Sequence, residues 1–385
     1  MKKKFNKALS FAVACLLTVG LSSCGSETIE ENDDANAADV VAQFVDHTVA
    51  PTYTTLAAKA ELLADELQIL KQTPTDAGIK DACATFLQAR EAWEMSEAFL
   101  FGAAGDFGVD PHIDSWPLDE TQFNTLMSNS AMLALLDGED GDAVAGESLG
   151  NALLGFHGLE YILFKDGQPK SASQISENEW IYVAAVAGDL RNRCYQLEVG
   201  WMGDKAPKSH IEKLDDLEMQ YTVAGGNYSY GENIKNAGNA GSTYTSRTAA
   251  LIAIVQGCAD IADEVGTSKI NSAYSGEDVT YIESPYSHMS ITDFHNNIVS
   301  IQNVYYGGVE GQRNDSKSLH NYVKEINSSA DAKLAAAITS ALTAIDAMPK
   351  PFVNNITAPE NGAAVEACDA LSAALDEVID VINNK

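Results

Sequence analysis

Gly155-Phe156-His157-Gly158-Leu159-Glu160-Tyr161-Ile162-Leu163-Phe164 places an imidazole and a carboxylate three residues apart in an otherwise apolar run. Read as helix, this spacing makes them neighbours on one face, because side chains at i and i+3 lie roughly 5–6 Å apart at Cβ. His157 and Glu160 are therefore candidates for sharing a proton, a metal ion or a polar ligand. A core histidine bonded to its own helix neighbour would show the same spacing, since buried polar groups are usually satisfied locally. Neither group is expected to be buried alone, where it would be costly.

Outward from this run the periodicity is helical almost throughout. Val40 to Leu70 carries apolar residues at helical spacing, with Pro51 expected to kink or break it, and Asp76 to Phe101 follows a Pro74-Thr75 start signal. Further helices are expected at Gln122 to Leu136, Gly146 to Phe164, Glu177 to Trp201, Tyr244 to Val265, Ser287 to Tyr306, Lys317 to Met348 with internal breaks, and Glu360 to Ile382. No stretch alternates long enough to argue for a sheet, so the expected class is all-α. Ala224 to Ser242, dense in Gly and Asn, reads as a long irregular segment of the kind that forms linkers, lids or binding loops.

The N-terminus carries Lys2, Lys3, Lys4 and Lys7, then an apolar run from Ala8 to Leu21 too short to span a bilayer comfortably, then Leu21-Ser22-Ser23-Cys24. This reads as a bacterial lipoprotein signal over residues 1–23, with Cys24 as the lipidated residue; several acyl chains hold a protein on a membrane where one is marginal. A short uncleaved anchor is the alternative. Residues 24–38, acidic and poor in apolar groups, are expected to be a disordered tether. The expected location is the bacterial cell envelope, lipid-anchored, with the acidity after Cys24 pointing to the outer membrane.

Loss of residues 1–23 removes four of the 24 basic residues and none of the 55 acidic ones, taking the net charge from −31 to −35. Nucleic acid and anionic headgroups become poor partners, cationic metals and basic peptides better ones. Of six cysteines, Cys83, Cys194, Cys258 and Cys368 remain for the mature chain, all in expected helices and without a Cys-x-x-Cys. Buried thiols and bridges both fit. About 360 mature residues exceed what one hydrophobic core usually serves, so two domains are expected. The boundary falls near the Gly/Asn-rich stretch: a bundle over residues 39–205, a connecting segment over 206–242 and a second bundle over 243–385. Setting Gly102 against Gly307 pairs Leu100 with Tyr305 and Phe101 with Tyr306, a faint internal duplication.

Three stretches together resemble the imelysin-like family. Gly155 to Phe164 is similar to its Gly-x-His-x-x-Glu signature. Arg90-Glu91-Ala92-Trp93 through Glu97 to Gly102, followed by Asp114-Ser115-Trp116-Pro117, looks like its first block. Ser284-Pro285-Tyr286-Ser287 and Asp293-Phe294-His295-Asn296-Asn297 to Tyr305-Tyr306-Gly307-Gly308 looks like a block of its second half. The resemblance covers most of the chain from about residue 38. It implies two related helical bundles packed side by side with the functional site where they meet.

Arg90, Trp93 and Glu97 fall at helical spacing and present a cation, an aromatic and a carboxylate on one face. A surface ion pair of Arg90 with Glu94 or Glu97 beside a core Trp is the plainer reading. Asp114 and Trp116 sit in a loop where turn chemistry and site lining are both served. Ser290, Asp293 and Asn297 recur at helical spacing and could project polar atoms across a domain interface, with Ser287 a cap for that helix.

The resemblance implies either of two activities. The family's first member was described as an envelope metallopeptidase, and a catalytic zinc needs three protein ligands and an open position. His157 and Glu160 would be two of them, and the third would come from His112, His288, His295 or His320, none of which stands in a ligand motif. The family's association with iron acquisition implies instead a binding protein for a metal ion or small ligand, serving an envelope transport partner. Hard iron suits the carboxylate and imidazole groups of Glu97, His157, Glu160 and Asp293. Iron or zinc is thus the expected cofactor or cargo, and the missing third ligand favours binding over hydrolysis. A structural envelope protein, with His157 and Glu160 simply buried as a pair, is the third reading.

Overall fold

A computed structural model describes residues 27–385; the expected signal peptide and Cys24 lie outside them. The chain is helical from Glu27, where the sequence reading has a tether through residue 38. Ala37, Val40, Val41 and Phe44 are buried, so helical packing begins inside the stretch that composition alone assigned to tether. The helix Glu27–Phe44 passes through a π-helical turn, Val45–Val49, into Ala50–Gln72, with Pro51 in the first turn of that helix. The expected break at Pro51 is thus absorbed by a widened turn just before it, where a missing N–H costs little.

In the first half, Ala50–Gln72 packs against both Asp76–Glu94 and Glu177–Met202. Thr75 caps the second of these helices by accepting a hydrogen bond from the Gly78 amide, and Ser176 and Glu179 form a capping box on the third. In the second half, Pro359–Asn383 packs against Arg247–Glu264 and Ser328–Asp346, and Ser290–Tyr305 lies on Ser328–Asp346. Strand among the described residues is confined to the two-residue pairs Phe164–Lys165 and Gln168–Pro169. The halves are joined by Ser290–Tyr305 lying on Asp76–Glu94 and by Arg247–Glu264 lying on the 3-10 turn Glu97–Phe99. One hydrophobic core runs through both, with Trp93, Phe99, Phe156 and Phe294 fully enclosed; each such aromatic contributes about 1.5–3 kcal/mol by burial.

Two local features recur in both halves, at different offsets along the chain. Each half opens with an 18-residue helix, Glu27–Phe44 and Arg247–Glu264, that runs into a π-helical turn, Val45–Val49 and Val265–Ile270. Gly102 and Gly307, the pair used to align the halves, both take positive φ, 76° and 69°.

Several expected helices are broken. Gln122 to Leu136 divides into Glu120–Met127 and Ser130–Leu136, because the Asn129 side chain accepts from the Met132 amide and caps a new start at Ser130. The connecting segment contains helices Lys208–Asp216 and Tyr230–Lys235. The most consequential break is in Gly146 to Phe164: the helix starts only at Gly155, after extended Leu154. Gly155 has φ +66°, and a β-carbon there would lie 1.9 Å from the Ile113 carbonyl oxygen. A β-carbon at Gly158 would lie 2.4 Å from the Tyr182 hydroxyl. The two glycines flanking His157 are there because other backbone and side chains approach too closely for anything larger.

Candidate functional site

Starting the Gly155–Leu163 helix at Gly155 puts His157 in its first turn, beside the loop that follows the short helix Val109–Ile113. His157 Nε2 lies 2.9 Å from Asp114 Oδ1, and its Nδ1 lies 3.7 Å from Glu160 Oε2. Asp114 Oδ2 accepts the Trp93 indole N–H at 2.7 Å, and Arg90 Nη1 donates to Asp114 Oδ1. The other arm of Arg90 reaches the second half: Nη2 donates to Glu283 Oε1 at 2.5 Å, and Nε lies 3.7 Å from Asp293 Oδ2. Glu94, one helical turn beyond Arg90, lies 2.5 Å from the same Nη2 and accepts a 2.5 Å hydrogen bond from Asn297 Nδ2.

The loop before Ser290–Tyr305 is pinned to the first half by Glu160. Its Oε1 accepts from the Tyr286 and Ser287 amides at 3.1 and 2.7 Å and from the Ser287 hydroxyl at 2.7 Å. Ser284 donates to Asp293 Oδ2 and Ser290 to the Glu283 carbonyl, each at 2.5 Å. Lys269, on the π-helical turn Val265–Ile270, is only 1 % exposed. Its Nζ lies 3.1 Å from Glu283, 3.8 Å from Glu94 and 3.8 Å from Glu97. Trp116 covers this point: Lys269 Nζ is 5.2 Å from its ring centre, and the ring also packs on His157 at 5.6 Å and on Tyr281 at 5.2 Å.

Arg90, Trp93, Glu97, Asp114, Trp116, His157, Glu160, Ser290, Asp293 and Asn297 thus stand in one network at the junction of the halves. Sequence reasoning missed its centre. Glu94 entered only as a surface partner for Arg90, Ser284 and Ser287 only as part of a family-like block and, for Ser287, as a cap, and Lys269 and Glu283 not at all. A signal for Lys269 was present: it is the one lysine or arginine between Arg247 and Arg313. The expected histidine partners lie elsewhere. His112 pairs with Asp189 at 2.8 Å, His295 with Asp346 at 2.9 Å, and His320 with Asp331 and the Tyr305 hydroxyl at 2.8 Å each. His288, at φ 63°, packs its ring on Gly167. Among the described residues the four cysteines are free and buried, so no bridge contributes there.

Buried in this network are six carboxylates, from Glu94, Glu97, Asp114, Glu160, Glu283 and Asp293, and three basic groups, from Arg90, His157 and Lys269. Burial alone would lower the His157 pKa, but the hydrogen bond to Asp114 and the nearby Glu160 carboxylate outweigh it and push it up to about 9, so the ring is an imidazolium at neutral pH. Burial also works against the Asp114 carboxylate, yet Arg90 and His157 hold it far below the usual range. For Glu94 and Glu97 burial prevails over Arg90 and Lys269 and holds the carboxyls well above that range. Burial raises Asp293 to about 7 against the pull of Arg90, and Asp110, at the rim, to about 7 with Asp114 and Glu264 adding to it. Glu283 Oε2 and Asn297 Oδ1 are buried without a hydrogen-bond donor, as is Glu160 Oε2.

Over residues 49–378 the sequence matches the imelysin family. The chain belongs to the imelysin family. This imelysin is 27 % identical over 340 residues to the iron-regulated protein A of Synechococcus elongatus, covering 88 % of this chain and 83 % of that one. A crystal structure from Parabacteroides distasonis, provisionally assigned as an iron-regulated protein A precursor, superposes with a TM-score of 0.77 at 29 % identity, covering 91 % and 95 % of the two chains. An imelysin-like protein from Psychrobacter arcticum 273-4 shares the fold, with a TM-score of 0.59 at 14 % identity over 91 % and 93 % of the chains. No helix among the described residues is long and apolar enough to cross a membrane.

Among the described residues of this imelysin, two groups of side chains come close enough to hold a metal ion, Asp114–His157–Glu283 and Glu94–Glu97–Asp114. The first fits poorly, because the Arg90 fork already bridges Asp114 and Glu283 and His157 carries protons on both nitrogens. The second fits a hard cation better, since it offers oxygens alone. Asp114 is saturated by Arg90, Trp93 and His157, so the carboxylates of this group with capacity left are Glu94 and Glu97.

Proposed function

We propose that this imelysin is a lipid-anchored binding protein of the bacterial envelope that holds a hard, multiply charged metal ion, iron foremost, at the junction of its two halves. The observation that carries this reading is the surplus of buried carboxylates over basic groups, together with the buried oxygens left without donors. Carboxylates forced out of water either take up protons or find a cation. A ferric ion meets the second need with ligands of the type it prefers. Glu94 and Glu97 are the proposed ligands, while Arg90, Asp114 and His157 hold the surrounding frame and Glu160 fastens the second half to it. The iron link is further supported by the iron-regulated relatives, and the anchor by the basic n-region, short apolar run and Cys24. The zinc-peptidase reading has less support, because among the described residues the groups able to hold a metal include no second histidine.

The test is calorimetric titration of the full chain in detergent with iron(III) citrate, iron(II) and zinc, beside a Glu94→Gln, Glu97→Gln double variant. Saturable, stoichiometric iron binding that the variant loses at an unchanged melting temperature is the expected result. Absence of binding by the native chain would overturn the reading. Cys24→Ala, followed by its release from the membrane fraction, tests the anchor.

A further inference from the structure

In most cation sites the ligands surround either a metal or water. Here the position among the Glu94, Glu97 and Glu283 carboxylates is taken by an amine. Lys269 Nζ sits 3.1 Å from Glu283 and 3.8 Å from both Glu94 and Glu97, beneath the Trp116 ring. Of these contacts only the one to Glu283 Oε1 is a hydrogen bond, so an ammonium with three donors is incompletely used. Glu283 Oε2 and Asn297 Oδ1, both 0 % exposed at residue level, accept nothing. The pocket is thus filled by charge but not by coordination.

We propose that Lys269 is the resident counter-ion of this site, and that an incoming multivalent cation takes the position of its ammonium nitrogen. The inference rests on the cation-binding reading above and adds how the site is kept closed and charge-compensated before loading. Three features of Lys269 suit it to leave. It carries a flexible four-carbon stem, unlike Arg90, whose planar fork is locked between Asp114 and Glu283. It stands on the π-helical turn Val265–Ile270, a local widening of the helix that recurs at functional positions. A destination is also at hand: Glu264 is exposed and Asp110 half-buried, and both act electrostatically on Lys269 from the rim. Displaced toward them, the ammonium would exchange one set of carboxylates for another while the ion took the inner set. Trp116, packed against Tyr281 above the amine, would have to shift as it passes.

The experiment compares the native full chain with Lys269→Met and Lys269→Gln by titration with iron(III) citrate, with folding checked by thermal melting. Removing a like charge from the ion's position should tighten binding by roughly tenfold or more. Native binding with no tightening in either variant would overturn the inference and leave the cation-binding reading standing. Binding by the variants alone would support the counter-ion role and overturn the reading that the native chain takes iron. No binding by any of the three would overturn both. A second measurement needs no variant: reductive methylation of the native chain, followed by mass spectrometry, should leave Lys269 unmodified without iron and modify it when iron is bound. Equal protection in both states would overturn the displacement.

Discussion

Around Asp142 both carboxylate oxygens are fully engaged, while at the junction of the halves oxygens outnumber the groups that could satisfy them. Asp142 Oδ2 meets Arg191 at 2.7 Å, Lys213 at 2.9 Å and Asn192 at 3.1 Å, and its Oδ1 accepts the Ala143 amide at 2.9 Å. Partial burial would raise its pKa, but the Lys213 and Asn192 hydrogen bonds prevail and lower it. Glu94 and Glu97 go the other way, because burial outweighs their basic neighbours. Both networks tie helices together. Only the second leaves buried carboxylate and amide oxygens without donors, which is the ground for proposing that a cation binds there.

The largest break in this comparison is expected from removing one cation from each network. Arg90→Met strands Asp114, Glu283 and Asp293 in the interior and should cost about 3–5 kcal/mol. Arg191→Met leaves Lys213 and Asn192 on a partly wet carboxylate and should cost about 1 kcal/mol or less. Urea denaturation at neutral pH measures both, and equal losses would remove the distinction. Next in size is Glu160→Gln, which keeps shape but weakens three charge-assisted bonds to Tyr286 and Ser287, for roughly 1–3 kcal/mol. Since those donors belong to the second half, the loss should appear as faster hydrogen exchange in residues 284–288 before it appears elsewhere.

The networks should also separate in their pH dependence. Asp293, raised to about 7, binds its proton more tightly folded than unfolded, so its contribution is present at acidic pH and declines as pH rises from the ordinary aspartate range through about 7. Asp142, lowered, contributes above the ordinary aspartate range and loses that contribution as pH falls through its folded value. Between pH 8 and pH 5 the junction therefore governs the slope, and stability should rise on acidification. Asp293→Asn should flatten that slope by roughly 1 kcal/mol, whereas Asp142→Asn should leave it unchanged. Melting temperatures across that range decide it, and an Asp293→Asn chain with the native slope would count against the junction as its source.

How much of this was legible in the sequence follows from what each residue depends on. Helices whose period and caps are local, such as Asp76–Glu94 with Thr75 and Glu177–Met202 with Ser176, were readable. The break before Gly155 was not, because Gly155 takes its conformation from the approach of Ile113, some forty positions away in sequence. The same divide runs through the site. His157 with Glu160, and Arg90 with Trp93, are set by helical spacing and could be proposed. That Lys269 would lie among Glu94, Glu97 and Glu283 depends on where two halves dock, which no local period encodes.

The smallest expected effect is also the sharpest control on the contrast between satisfied and unsatisfied carboxylates. Lys213→Met removes an ammonium whose side chain is 33 % exposed from a carboxylate that keeps Arg191 and Asn192, so stability should fall by no more than about 1 kcal/mol. Lys213 and Lys269 each place an ammonium near 3 Å from a carboxylate, at 2.9 and 3.1 Å. If charge alone decided where a cation binds, deleting either lysine would open a site. If an uncompensated, multi-carboxylate cage is required, deleting Lys213 should leave iron(III) binding at its native stoichiometry and affinity, since Asp142 offers one carboxylate and its oxygens are already taken. A second iron equivalent bound by Lys213→Met would show that the surplus at the junction is not what selects the ion.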